Sequence, residues 1–238
     1  EYTPCGNKES FLRWLESADA DRFIANGCPY IIPPEMLSGR MQCINVHPSY
    51  LPDLRGADPV PGAILFGRDS GATCHLMDAG VDTGDIISQA KILYTPDLDA
   101  PMLYQLSFRA EAEVFRMALE RDFAPSAKQQ PSGTEVHYTR KPEDLVIDFN
   151  DDIDGICRRV RAFSNRRQLA RFTHNGQLVK VLAADILIQP YFAALGGAAA
   201  ENQVVLVAEC GLVVRKGMNF LYLTCEQSVP VAVGDVLA

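Results

Sequence analysis

The sequence has few of the features that mark membrane, secreted or metal-binding proteins. No apolar run approaches the ~20 residues that a helix needs to cross a bilayer, and no secretory signal is recognisable at its start. The seven cysteines form no CxxC pair and no Cys/His spacing typical of a zinc site. We therefore expect an ordered cytoplasmic protein whose cysteines are reduced and mostly buried.

Basic residues are also in the minority. The chain has 22 Lys and Arg against 30 Asp and Glu, which gives a formal net charge of −8. A field of that sign does not attract nucleic-acid backbones, although a local basic patch would still serve. With 47% hydrophobic residues in 238, the chain can bury a sizeable core as one large domain or two small ones.

Predicted strands and helices alternate over the first 120 residues, which indicates an α/β fold with a mostly parallel, Rossmann-like sheet. The predicted strands cover 21–25, 41–47, 72–77 and 86–93, and the longer predicted helices cover 8–18, 60–67 and 99–121.

The composition changes near residue 124, where Pro, Ser, Lys and Gln replace the periodic pattern. We expect a first domain at 1–124, a linker at 125–138 and a C-terminal domain at 139–238. Asn175-Gly176 between two alternating runs predicts a hairpin. Short apolar runs after it predict a small, barrel-like β domain behind one helix. The Ala/Gly-rich piece at 193–200 is expected to be a loop.

Two polar residues stand at the end of a predicted buried strand. Because side chains alternate along a strand, Asn45 and His47 share one face while Ile44 and Val46 share the other. Buried polar groups need partners, and ligands bind at the carboxyl ends of strands in open α/β sheets. On its own, such a pair is more often a satisfied strand end than a functional site.

An acidic, glycine-rich loop follows the next predicted strand. In a parallel sheet both strand ends open on one edge, so an aspartate of this loop can meet His47. Asn, His and Asp without a nucleophile can assist acyl transfer between two bound molecules. The amide stabilises an oxyanion, and the imidazole stabilises the same charge or moves a proton.

Other residues near this site have a structural explanation beside the functional one. Asp78, Asp82 and Asp85 do not have the spacing of an EF-hand loop, so no metal is expected. His75 is interpreted as a structural residue of its strand. Ser49 fits a turn hydrogen bond as well as a substrate contact.

The turn after the strand contains two further residues for which the sequence makes predictions, Arg55 and Pro52. Arg55 can pair with a phosphate or with a nearby carboxylate. The turn position of Pro52 predicts a cis bond from Leu51.

A long pattern around these residues resembles the folate-dependent formyltransferase family. It runs from Asn45-x-His47-Pro48-Ser49-x-Leu51-Pro52 through Arg55-Gly56, Pro59 and Thr73-x-His75-x-Met77-Asp78 to Asp82-Thr83-Gly84-Asp85-Ile86-Ile87. Residues 138–148 and the helix and hairpin after them are similar to the C-terminal domain of the methionyl-tRNA and amino-sugar formyltransferases.

The resemblance implies that Asn45 holds the formyl oxygen and His47 stabilises the tetrahedral intermediate. It implies further that Asp82 tunes His47 and helps to remove the amine proton. It also implies 10-formyltetrahydrofolate as the formyl donor and no metal. The pterin is expected against Cys28, Pro29, Tyr30, Ile31, Val81 and Asp82. Ser49, Tyr50 and Arg55 are the candidate contacts of the acceptor.

The acceptor implied by the resemblance is a primary amine. Pro48-Ser49 after His47, together with the acidic charge, favours a nucleotide-linked amino sugar. Methionyl-tRNA is the alternative acceptor, and only this alternative involves a nucleic acid. No membrane partner is expected, and a homodimer is compatible with the sequence.

The resemblance also leaves two matters open. The two strand–helix units with which the family's catalytic domain opens are not found in this sequence. Because Asn45, His47 and Asp82 are all present, we expect a catalyst whose domain at 1–124 is incomplete at its N-terminus. A non-catalytic, formyltransferase-like binding module is the further alternative. A group of arginines can grip a phosphate or form the solvated face of a helix: Arg158, Arg159, Arg161, Arg166, Arg167 and Arg171.

Overall fold

The computed structural model describes residues 5–165 and 167–238, and the side chains at 195 and 196 are not described. Arg166 of the arginine group lies outside the described residues. The chain divides into two compact units. Unit 1 comprises residues 5–59, 69–93 and 106–138, and unit 2 comprises 60–68, 94–105 and 139–238.

Unit 1 is built on a four-stranded sheet with the order β1-β2-β3-β4. Its strands are β1 (Arg22–Asn26), β2 (Gln42–His47), β3 (Ser70–Leu76) and β4 (Ile86–Ile92). Unit 1 also contains α1 (Lys8–Ser17), α2 (Pro34–Leu37) and the C-terminal part of α4 (Ala100–Glu120). In the chain, α3 (Pro59–Phe66) stands between β2 and β3, but all of it after Pro59 belongs to unit 2.

The α/β class is confirmed, but the strand directions differ from the mostly parallel sheet expected. Only β1 and β2 run parallel, and the β2–β3 and β3–β4 pairs are antiparallel. A parallel crossover needs about a dozen or more residues, usually with a helix. The connection at 77–85 has no helix and is shorter than that, so β3 and β4 pair as an antiparallel ladder.

One face of this sheet packs against the C-terminal part of α4. Ile44 and Val46 of β2 lie in a buried cluster with Ala110, Val114 and Ala118 of the helix. The small alanines let the helix approach the β-branched residues of the strand closely. Since successive strand residues alternate, this packing directs Asn45 and His47 to the opposite face.

A second cluster in unit 1 joins α1 to the loop before α2. Phe11 and Leu15 of α1 pack with Ile32, and the partly buried Tyr30 and Met77 flank them. The helix begins with a reciprocal cap in which the Asn7 side chain accepts from the backbone N–H of Ser10.

Unit 2 contains a short 3₁₀ helix (Pro142–Leu145), α5 (Ile153–Ala162) and a five-stranded antiparallel sheet with the order β5-β6-β9-β8-β7. The strands are β5 (Ala170–His174), β6 (Gln177–Leu187), β7 (Val204–Ala208), β8 (Gly211–Lys216) and β9 (Asn219–Cys225). The small β-rich C-terminal part is thus confirmed. Asn175 and Gly176 have φ values of 48° and 76° and turn the predicted hairpin.

One expectation for unit 2 is wrong. Part of the Ala/Gly-rich piece predicted as a loop belongs to a short helix, α6 (Pro190–Gly196). The helix can begin because Gln189 caps it by accepting from the backbone N–H of Tyr191 at 3.1 Å, and proline fits the first turn. Ala193 and Ala194 then favour helix over loop.

Candidate active site

The predicted pair lies at the end of β2, on the face that α4 does not cover. In the antiparallel ladder, Asn45 stands opposite His75 and His47 stands opposite Thr73. Directly opposed residues share one face of a sheet, so β3 adds polar groups beside the pair. His47 is 5% exposed and His75 is 2% exposed.

The turn after β2 is fixed to β3 and β4 by side chains. The Thr73 hydroxyl donates to the Ser49 carbonyl at 2.7 Å and accepts from the backbone N–H of Leu51 at 3.1 Å. Gln89 Nε2 donates to the Leu51 carbonyl at 2.8 Å. The Leu51–Pro52 bond is cis, as predicted. These bonds hold the turn against the end of the sheet.

The same turn delivers two backbone groups to the site. The His47 Nε2–H donates to the Leu54 carbonyl at 3.0 Å, and the Gly56 N–H donates to Asp82 Oδ2 at 3.0 Å. Leu54 is buried and has φ of 58°. Because Nε2 is engaged in this way, Nδ1 is the nitrogen of His47 that remains for chemistry.

Asp82 completes the group and comes from the loop between β3 and β4. Its Oδ1 accepts from Asn45 Nδ2 at 3.2 Å, and its Oδ2 lies 3.7 Å from His47 Nδ1. The predicted meeting of the three residues is therefore present, but the expected route is not. The strands are antiparallel, so the loop begins at the far end of β3 and folds back across the face that carries Asn45.

The loop holds its shape through Asp78 and Gly84. Asp78 Oδ1 accepts from the Thr83 hydroxyl and from the Gly80 N–H. A Cβ atom added at Gly84 would lie 1.9 Å from the Leu76 carbonyl oxygen, so only glycine fits there.

His75 is a site residue that sequence reasoning treated as structural. Its Nδ1–H donates to the Leu76 carbonyl at 2.7 Å, which leaves Nε2 as an acceptor in the neutral ring. Nε2 lies 3.3 Å from Asn45 Nδ2 and 3.6 Å from Asp82 Oδ1. The signal that identifies His75 is the antiparallel register opposite Asn45, which the strand patterns alone do not reveal.

The pKa values of Asp82 and His47 are both lowered, but for different reasons. Burial raises the pKa of Asp82, but a hydrogen bond from the His75 ring and the positive charge of His47, both supplied by the protonated rings, together with the Gly56 N–H outweigh it and lower that pKa to about 2. Burial lowers the pKa of His47 below its usual range, against the opposing effect of the Asp82 charge. At neutral pH the site therefore holds a fixed negative charge beside a neutral imidazole.

The three predicted acceptor contacts lie in the turn after β2. The Ser49 hydroxyl is buried and donates to the Asp53 carbonyl at 2.8 Å. The ring of Tyr50 has the Lys91 ammonium 5.1 Å from its centroid. Arg55 is 7% exposed. Of the three, Tyr50 is the most accessible side chain.

The residues predicted to face the pterin lie on two loops that share one cluster. In the first loop, which contains Cys28 and Pro29, Tyr30 packs 5.4 Å from the Phe11 ring. Ile31 of the same loop is 71% exposed.

On the second loop Val81 is 53% exposed beside Asp82. Met77, at the start of that loop, packs in the same cluster as Tyr30. The accessible apolar side chain of Val81 thus stands next to Asp82 of the polar group.

Two other kinds of site have no counterpart among the described residues. Within residues 5–165 and 167–238, no group of three or more His, Cys, Asp or Glu residues is placed to hold a metal ion. No described helix is long and apolar enough to cross a membrane.

Comparisons with known proteins agree with the pattern. A family model described as formyl transferase matches residues 5–119, and one described as formyl transferase, C-terminal domain, matches residues 140–229. The methionyl-tRNA formyltransferase of Paramagnetospirillum magneticum is 37% identical over 175 residues, which cover 71% of this chain and 57% of that protein. The chain thus spans less than two thirds of the length of this curated relative.

Solved structures show the same fold. A Mycobacterium tuberculosis protein, proposed in its description to be a sugar N-formyltransferase, has a TM-score of 0.63 and 25% identity, covering 74% of this chain and 78% of that one. An N-formyltransferase from Helicobacter canadensis, in complex with folinic acid and dTDP-3-aminofucose, has a TM-score of 0.66 at 20% identity, covering 84% and 71%.

Proposed function

Since the chain belongs to the formyl transferase family, we propose that it transfers a formyl group from 10-formyltetrahydrofolate to a primary amine. The observation that carries this proposal is the convergence of Asn45, His47 and Asp82 on one face of β2. The group has amide hydrogens, a neutral imidazole and a fixed carboxylate, and it has no side chain placed to act as a nucleophile. The nucleophile is then the amine of the acceptor.

The reaction forms one bond and breaks another. The amine nitrogen attacks the formyl carbon, and the formyl oxygen becomes an oxyanion. The bond from this carbon to the donor nitrogen then breaks, and the donor nitrogen receives the proton that the amine has lost. The protein must therefore stabilise an oxyanion and carry one proton.

Asn45 is the residue placed to stabilise the oxyanion. Its Nδ2 contacts to Asp82 and His75 are long, at 3.2 and 3.3 Å, so a stronger acceptor can replace either of them. Nδ2 must face this side, because Oδ1 in its place would lie against the carboxylate. A donor fixed in this way before the reaction stabilises charge that develops only in the transition state.

His47 is better suited than Asp82 to carry the proton. A carboxylate with a pKa of about 2 is a weak base near neutral pH, whereas neutral His47 has a free electron pair at Nδ1. Asp82 then stabilises the imidazolium after His47 has taken the proton. The charge on Nδ1 adds to the stabilisation of the oxyanion.

We assign the donor to the two loops predicted to face the pterin. Ile31 and Val81 offer accessible apolar side chains to a flat heterocycle such as the pterin, and Cys28, Pro29 and Tyr30 form the rest of the loop. The Helicobacter canadensis relative binds folinic acid. At 20% identity, its similarity to this chain supports a shared fold, on which that relative carries a folate site.

For the acceptor, the charge distribution favours a nucleotide-linked amino sugar over tRNA. The net charge is −8, and two members of the arginine group use guanidinium donors within unit 2. Arg159 donates to the Asp144 carbonyl and pairs with Asp151 at 3.2 Å, and Arg161 donates to the Pro96 carbonyl. Such cations contribute little to binding a phosphate backbone.

Methionyl-tRNA is the second candidate acceptor, and one observation favours it. The relative that is 37% identical over 175 residues is a methionyl-tRNA formyltransferase, and the sugar-enzyme structures are at 20–25% identity. The two candidates differ in size and charge and are separable in one assay.

The test is a formyl-transfer assay with 10-formyltetrahydrofolate and a panel of nucleotide-linked amino sugars beside methionyl-tRNA. We expect tetrahydrofolate release that depends on an amino sugar, with the formylated product identified by mass. Release that depends on methionyl-tRNA alone would support the second candidate. If no amine in the panel is formylated by a folded protein, the proposal of formyl transfer fails.

A further inference from the structure

The loop that carries Asp82 is held by a side chain from outside both regions that match the family models. Gln129 Nε2 donates to the Asp82 carbonyl at 2.9 Å and to the Gly84 carbonyl at 2.8 Å. An amide nitrogen has two hydrogens, so this group is fully used. The family matches end at residue 119 and resume at residue 140, and Gln129 lies in the segment between them.

The other end of the Gln129 amide is held by Arg55. Arg55 Nη2 donates to Gln129 Oε1 at 2.6 Å, and the Arg55 side chain is only 7% exposed. Arg55 Nε is buried and has no hydrogen-bond partner among the described residues. Among the described residues, the guanidinium is therefore held by its hydrogen bond to Gln129. The backbone of Arg55 is held separately, because its carbonyl accepts from the Tyr138 N–H at 2.8 Å.

These bonds link the two segments that meet at the Asp82 carboxylate. Arg55 directly precedes Gly56, whose N–H donates to Asp82 Oδ2. Gln129 thus fixes the backbone of Asp82 and, through Arg55, the turn that holds its carboxylate. Its three hydrogen bonds connect both sides of a single site.

Asp82 needs such support because its backbone is in an uncommon conformation. Its φ is 54°, in the left-handed region that non-glycine residues adopt rarely. Its distances to Asn45 and His47 are 3.2 and 3.7 Å. A small rotation of this loop therefore breaks the contacts on which the chemistry depends.

We propose that Gln129 is a positioning residue that acts through Asp82, with Arg55 as its anchor. The catalytic consequence rests on the proposed formyl transfer, whereas the positioning of Asp82 beside His47 does not. The groups that face His47 are Asp82, the His75 ring and the Leu54 carbonyl. Of these, Gln129 controls the position of the carboxylate.

The first test measures the titration of the His47 ring by NMR in the full chain. Gln129→Met keeps the side-chain volume but removes the donors and the acceptor. The Asp82 charge raises the pKa of His47, so a displaced carboxylate lowers its midpoint, by about half a pH unit or more. The control is Gln130→Met, an adjacent, exposed position that should leave the midpoint unchanged.

The second test separates positioning from simple support of Arg55. Gln129→Glu keeps an acceptor for Arg55 but has no hydrogen to donate to the two loop carbonyls. We expect kcat to fall about 10-fold or more in both Gln129 variants, with KM for the acceptor little changed, as for a misplaced catalytic group. Recovery of kcat in Gln129→Glu would overturn the proposal, because Arg55 would then be the partner that matters.

The two hypotheses fail in different ways. An unchanged His47 midpoint in folded Gln129→Met overturns the positioning role, whether or not the chain transfers a formyl group. A shifted midpoint in a protein that formylates no amine leaves the positioning role intact and refutes the proposed function. If Gln129→Met does not fold, the same midpoint is measured in Gln129→Leu, which also lacks the donors and the acceptor and adds no charge, with the same two outcomes.

Discussion

Asn45 and His75 face each other across two antiparallel strands, with Asn45 Nδ2 3.3 Å from His75 Nε2. Because the other nitrogen of His75 donates to the Leu76 carbonyl, Nε2 can only accept from the amide in the neutral ring. This contact and the Asp82 carboxylate both orient the Asn45 amide with its hydrogens toward the site. The proposed oxyanion donor is therefore aligned before any substrate arrives.

Removing the Asn45 amide should abolish most of the activity. In Asn45→Ala we expect kcat for formyl transfer to fall about 10²–10³-fold, the typical effect of losing one oxyanion donor. Steady-state kinetics with saturating acceptor measure this. Asn219→Ala, at an exposed position in β9, is the control and should retain full activity. A loss of less than about tenfold in Asn45→Ala would contradict the role assigned to Asn45.

His47 should give the pH–rate profile its acidic limb. Protonated His47 cannot accept the amine proton, and its pKa is lowered by burial, so kcat/KM should fall only as the pH drops well below about 6.5. His47→Gln should lower kcat/KM about 10²–10⁴-fold and remove that limb. The measurement is kcat/KM against pH for both proteins. A limb that persists in His47→Gln must belong to another group.

Asp82 should make the free energy of unfolding depend on pH in the acidic range. Its folded-state pKa of about 2 is below its usual 3.8, so the unfolded chain binds the proton first as the pH falls. The stabilisation of ~2 kcal/mol is then present above about pH 4 and is lost as the pH falls toward 2. Urea unfolding at several pH values measures it.

Asp82→Asn should remove this dependence. The variant should be about 2 kcal/mol less stable at pH 7 and should lose less on acidification, because no carboxylate remains to protonate. Asp19→Asn, at a fully exposed ion pair with Arg40, should behave as the unsubstituted protein does. Equal acid dependence in Asp82→Asn and the unsubstituted protein would show that the carboxylate is not stabilised as described.

Gly84→Ala should displace Asp82, although Gly84 itself is not one of the three proposed catalytic residues. The new Cβ atom would lie 1.9 Å from the Leu76 carbonyl oxygen, so the loop must move, at a cost of about 1–3 kcal/mol in unfolding free energy. Activity should fall as well, because Asp82 lies on the same loop. Gly6→Ala, where no atom lies within 4 Å of the new Cβ, is the matched control. Wild-type stability and activity in Gly84→Ala would refute the close approach.

Local patterns in the sequence were sufficient for those parts of the fold that depend on nearby residues. Alternation places Asn45 and His47 on one face, and Asn175-Gly176 turns the hairpin. Each of these results rests on contacts within a few positions of the chain.

Contacts between segments that are distant in the chain do not follow from such local patterns. Periodicity identifies a strand but not its direction, so the patterns alone predict β3 parallel to β2 and do not place His75 opposite Asn45. Gln129 is more than 40 residues from Asp82 and carries no motif. The group of Asn45, His47 and Asp82 was found because the resemblance spans its residues, although the loop reaches the site by another route.

The segment at 125–138 has a consequence for recombining members of this family. Because Gln129 and Tyr138 bond to the turn and loop of unit 1, a chimera that exchanges C-terminal domains at residue 120 would replace part of the machinery that orients Asp82. A junction after residue 138 leaves those bonds with their own sheet. Hybrids joined at residue 120 should therefore orient Asp82 less well than hybrids of the same two parents joined after residue 138.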